Sequence, residues 1–85
     1  MLNVAKFKEA EEVWRDNKGV LERGRRFKLM EREEVGGWSE TRKYKLTYWT
    51  KADEWTGTGK GSDGVKVRFN KRESEFVARR FGLIV

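Results

Sequence analysis

The sequence predicts an α+β fold of order α-β-β-β-α. A three- to four-stranded antiparallel sheet carries both helices on one face. Three observations lead there: apolar residues three and four apart near the start, two-residue alternation through the middle, and a capping signature near the end. All 85 residues form a single domain, 1–85. A chain this small buries only about 60% of its unfolded surface, so the core has room for one sheet and one or two helices.

The opening segment NVAKFKEAEEVWRDNKG places Val4, Phe7, Ala10, Val13 and Trp14 on one side of a helix over residues 4–17. Asn3 suits its start and Gly19 its stop. Two alternating stretches then flank GGW, which predicts a hairpin with strands over 26–34 and 41–50. GVKVRFN alternates again and predicts a strand over 64–69, with residues 55–58 as a short partner. In NKRESEF, Asn70 followed by Glu73 is a capping box. Glu73 and Glu75 at the start of that helix, with Arg79 and Arg80 at its end, suit the helix dipole. Gly82 ends it, leaving Leu83-Ile84-Val85 as an apolar tail.

Alternation assigns the two faces of the sheet. Phe27, Leu29, Tyr44, Leu46, Tyr48, Val65, Val67 and Phe69 point to the core, where Phe7, Trp14, Val77 and Phe81 pack on them. The opposite face shows Lys28, Arg32, Lys43, Lys45, Trp49, Lys66 and Arg68, with Met30 and Glu34 as exceptions. An ordinary solvated sheet face also favours lysine, which discourages edge pairing.

The inventory argues against an enzyme. No histidine and no cysteine occur, so imidazole and thiolate metal sites, Cys/His nucleophilic pairs and disulfides are excluded. Ser39, Ser62 and Ser74 have no histidine to activate them. Glu31, Glu33, Glu34, Asp53 and Glu54 are interspersed with cations, as on a solvated surface. GKGSDG, residues 59–64, fits the glycine pattern of a dinucleotide site, but it leads into a strand where that site needs a helix. No cofactor is expected, and the segment is expected to be a mobile hairpin connection. The start is charged from Lys6 onward and no run approaches a membrane span, so the expectation is a soluble cytoplasmic protein with no membrane partner.

Charge gives the positive clue. The net is +6, with nine basic against nine acidic residues in 1–40 and eleven against five in 41–85. That asymmetry suits an anionic partner for the second half, although composition alone fits solubility charge equally well. Clustered lysine and arginine are the footprint of phosphate binding. The expected contacts are Lys43, Lys45, Lys60, Lys66, Arg68, Lys71 and Arg72, with Trp49 and Trp55 touching bases or sugars. Trp49 alone lies on the outer face, with Trp38 and Trp55 in adjoining loops, so a duplex is slightly favoured over a single strand.

Three resemblances point the same way. FKLMEREE, RKYKLTYWT, GTGKG and KRESEFVARRF together resemble a double-stranded-RNA-binding domain over residues 4–81. RFNKRESEF (68–76) is similar to the three-stranded DNA-binding domains at the N-terminus of tyrosine recombinases. TYWTKADEWTGTGKGSDGVKVRFN resembles transcriptional-coactivator-type single-stranded-DNA binders. All three imply a nucleic-acid partner. The competing expectation is a small protein-interaction module or regulator docking on a larger complex, with self-association into a homodimer, motivated by the apolar tail and the loop tryptophans.

Overall fold

The computed structural model describes residues 3–84, and side chains over 9–84 apart from Val35. It is a five-stranded antiparallel sheet in simple sequential order, followed by one helix. The strands are β1 (Asn3–Asn17), β2 (Val20–Val35), β3 (Trp38–Trp49), β4 (Glu54–Lys60) and β5 (Lys66–Phe69), and the helix α1 is Lys71–Arg80. The expected α-β-β-β-α order is therefore wrong at its first element: residues 4–17 form an edge strand, not a helix.

The reason lies in the neighbouring segment. β1 pairs with β2 from Asn3↔Glu34 to Asn17↔Val20, and the acidic run 9–12 lies beside the basic run 23–28. Arg23 bonds Glu12 at 3.0 Å, Arg15 bonds Glu22 at 2.9 Å, and Arg26 and Lys28 approach Glu11 at 3.7 and 3.8 Å. Cross-strand pairs of opposite charge stabilise a sheet, and here they override a helical spacing within one segment. Lys18 (φ 55°) and Gly19 (φ 81°) form the two-residue turn of this hairpin, so Gly19 is a turn residue and not a helix stop. Gly36 and Gly37 make the same kind of turn between β2 and β3, at the expected hairpin.

Both strands of that second hairpin are longer than expected. β2 starts at Val20, and its first residues have no β3 partner because β3 ends at Trp49, opposite Gly24. The β1–β2 hairpin therefore projects beyond the sheet, in a molecule 50 Å long and 27 Å wide.

α1 packs on one face. Asn70 Oδ1 accepts from the Glu73 N–H at 2.8 Å and Glu73 Oε1 accepts from the Asn70 N–H at 3.0 Å, the expected capping box. Ser74, Val77 and Ala78 are buried on its inner side. With Phe81 they close over Leu29, Tyr44, Leu46 and Trp55, and Phe27, Tyr48, Phe69, Leu83 and Ile84 fill the margins. The tail thus packs on this core at Leu83 and Ile84, while Val85 and the side chain of Phe7 lie outside the described residues. Val65, Val67 and Trp14, expected in the core, are exposed.

A buried carboxylate locks the helix end to the sheet. Glu31 accepts from Arg80 of α1 and from Arg42 at 3.4 Å, and Arg42 also reaches Glu33 and Glu40. Glu31 is therefore an internal ion-pair partner, not a solvated surface acid. Among the described residues no helix is long and apolar enough to cross a membrane.

Candidate nucleic-acid interface

The register sorts the side chains into two faces, and the helix covers only one. On the open face Lys43, Lys60 and Lys66 stand directly opposite one another on β3, β4 and β5. The next row holds Lys28, Lys45, Thr58 and Arg68, and the row after it Arg26, Thr47 and Thr56. Adjacent strands lie about 4.8 Å apart, so these cations crowd within a few residues' width. Lys43, Lys45, Lys60, Lys66 and Arg68 are exposed, and none makes an ion pair among the described residues. The β1 side differs, because Glu11 approaches both Arg26 and Lys28. The open face is thus neutralised along its β1–β2 side, and the five cations Lys43, Lys45, Lys60, Lys66 and Arg68 of β3–β5 are left uncompensated among the described residues.

The glycine-rich stretch has a different role from the one its motif suggests. TGTGK (56–60) is the end of β4, with Thr56, Thr58 and Lys60 on the open face and Gly57 and Gly59 on the covered one. A Cβ at Gly57 would stand 2.5 Å from Leu46 Cδ2, and one at Gly59 2.6 Å from Phe69 Cζ. These glycines make room for the core beneath a row of polar side chains. The remaining turn is tied down: the Ser62 hydroxyl accepts from the Thr41 N–H at 2.9 Å and donates to the Thr41 carbonyl at 3.1 Å. Residues 61–65 are the connection between β4 and β5, whereas Gly59 and Lys60, expected in that connection, belong to β4.

Four expected contacts stand apart from these cation rows. Trp55 is a core residue on the covered face, with Tyr48 and Phe27 ring centroids at 5.1 and 5.9 Å. It cannot meet a base on the open face. Trp49 does lie on the open face but is only 6% exposed. Its indole N–H donates to Thr56 Oγ1 at 2.9 Å, and the Arg15 guanidinium sits 4.3 Å from the ring centroid. Lys71 lines the groove between α1 and the covered face, with Phe27, Tyr48 and Trp55. Arg72 is exposed in the first turn of α1, outside the cation rows.

Arg15 and Glu22 are the residues that sequence reading missed here. Arg15 bonds Glu22 through Nε at 2.9 Å and Glu54 through Nη2 at 3.1 Å. Glu22 is buried and also accepts from the Ala52 N–H at 2.8 Å and from Asn17 at 3.3 Å. Burial raises the Glu22 carboxyl, but the bonds from Arg15, Ala52 and Asn17 outweigh it and leave the pKa lowered. The charge alternation of RDN against VLER was the available signal, and it has meaning only once both segments are strands. Comparison with known proteins finds no matching family model, no matching curated protein and no matching solved structure.

Proposed function

We propose that this chain is a non-enzymatic nucleic-acid-binding protein that holds a phosphate backbone against its open sheet face. The observation that carries this reading is the row Lys43–Lys60–Lys66, three like charges on adjacent strands, none of them in an ion pair among the described residues. Like charges directly opposite one another destabilise a sheet, and a polyanion laid over them removes that cost while releasing its own counterions. Lys45 and Arg68 extend the row into a patch, and the half-buried Thr56 and Thr58 add hydroxyl groups among the cations.

Geometry limits how the ligand lies. Five strands, with four spacings of about 4.8 Å, span about 19 Å, wider than the roughly 12 Å major groove of a duplex. The whole face therefore cannot enter a groove, whereas the cationic patch of β3–β5, two spacings or about 10 Å wide, can.

The test replaces Lys45, Lys66 and Arg68 together by glutamate and titrates single-stranded DNA, duplex DNA and duplex RNA. Binding is expected to be lost with the thermal unfolding curve retained. Unchanged affinity in this variant sinks the sheet-face reading.

A second reading rests on a separate observation. Trp14, Val20 and Leu21 are exposed on the projecting β1–β2 hairpin, and Trp38 is 81% exposed at the opposite turn. Exposed apolar groups of this kind mark protein-interaction surfaces. A chain that binds none of the three nucleic acids at low salt, yet whose mass in solution falls when Trp14 and Leu21 are replaced by serine, would favour self-association through that hairpin.

A further inference from the structure

We infer that Arg15, seated on Trp49, is a stacking platform for one nucleobase beside the cationic groove; this deepens the nucleic-acid reading and rests on it. A groove of about 490 Å³ runs over the open face between Trp49 at one side and Lys66 and Arg68 at the other, with Lys45, Thr47 and Thr56 along it. That volume is in the range of sites that take small organic groups. The groove has cations for phosphate, but its aromatic ring is covered. What covers the ring is a guanidinium 4.3 Å from the centroid.

The guanidinium is held from three directions. Glu22 fixes Nε, Glu54 fixes Nη2, and the indole ring supports it from beneath. Trp49 is itself fixed by Thr56 and lies over Gly24, where a Cβ would come within 2.5 Å of the ring. A side chain of many rotamers is thereby set in one position before any ligand arrives, which lowers the entropy cost of binding. Its side chain keeps 24% exposure.

Charge separates a base from a phosphate at this point. Arg15 is accompanied by the two carboxylates Glu22 and Glu54, so the cluster is net negative. A phosphate is repelled there, whereas a neutral, planar base stacks on an arginine plane as on an aromatic ring. The open face thus has a base position at Arg15, beside the Trp49 side of the groove, and a phosphate end at Lys66 and Arg68. Neither duplicates the other.

The experiment compares two probes on two proteins: a mixed-sequence single-stranded oligodeoxynucleotide and an abasic deoxyribose-phosphate oligomer of the same length, each with the unaltered chain and with Arg15→Lys. The unaltered protein should bind the base-bearing oligomer about tenfold more tightly than the abasic one. Arg15→Lys, which keeps the charge and loses the plane, should erase most of that difference and leave the abasic affinity unchanged. Equal weakening for both probes would make Arg15 a phosphate contact and overturn the platform. A difference under about twofold on the unaltered protein, with steep salt dependence for both probes, overturns the platform and leaves the phosphate reading intact. No binding to either probe overturns both. Should Arg15→Lys fail to fold, Glu54→Gln frees one anchor of the guanidinium and should narrow the difference between probes; an unchanged difference again overturns it.

Discussion

Gly24 is the residue on which the Arg15–Trp49 stack depends. It lies opposite Trp49 across β2 and β3, and the indole occupies the space a side chain would fill. A Cβ there would stand 2.5 and 2.7 Å from two ring atoms and 3.0 Å from Thr47 Cγ2. Gly24→Ala should cost about 1–3 kcal/mol through overpacking, read as a lower midpoint in urea together with a shift in tryptophan emission as the ring leaves its seat. Glu22 supplies a second prediction at this scale. Its pKa is lowered from 4.5 because three donors outweigh its desolvation. A carboxyl with a folded pKa below its unfolded one contributes stability above the unfolded value and loses it as pH falls through the folded value. The unaltered protein should therefore lose stability as pH drops below 4.5. Glu22→Gln should be less stable at neutral pH and show a flatter acid limb, in chemical denaturation followed across pH.

At the level of elements, the first two hairpins are each set by a two-residue turn with both residues at positive φ. The third connection, Thr50 to Asp53, is held from outside by the Ala52 N–H bonding Glu22. The projecting β1–β2 hairpin thus anchors the β3–β4 turn, and it is through this contact that Arg15 reaches Glu54. α1 depends on its cap in the same local way. Removing the side-chain acceptor with Asn70→Ala should cost about 1 kcal/mol, measured as a fall in thermal midpoint. The bulky core beneath α1 still holds the helix in place, so its circular-dichroism signal at low temperature should be retained. This helix was legible in the sequence because a capping box acts over four residues. The hairpin at Gly36-Gly37 was legible for the same reason. β1 was not, since the charges that commit it to a strand sit in β2.

Over the whole molecule, the sheet separates two electrostatic environments. The covered face pairs its charges internally, as in the Glu31, Arg42 and Arg80 cluster. The open face leaves five cations of β3–β5 without carboxylate partners among the described residues. If all five meet phosphate, the logarithm of affinity should fall against the logarithm of salt with a slope of about −3.5 for a single strand. The glutamate triple variant described above would then lack most of that dependence. A slope near zero in the unaltered protein would place the binding energy somewhere other than these lysines and arginines.

Local chemistry sets three features: the GG turn, the alternation that sends Lys43, Lys45, Lys66 and Arg68 to one side, and the capped terminal helix. Each is decided by residues close along the chain, where period and turn chemistry act directly. Tertiary structure decided the rest. It turned residues 3–17 into a strand through charge pairing with β2, buried Trp55, and covered Trp49 with an arginine from a segment the local period assigned to a helix. It also brought Lys60 into line with Lys43 and Lys66, because TGTGK alternates small residues inward and polar ones outward only when paired on both sides. Helical spacing within one segment competes with cross-strand energy between two, and only the folded sheet contains the second term.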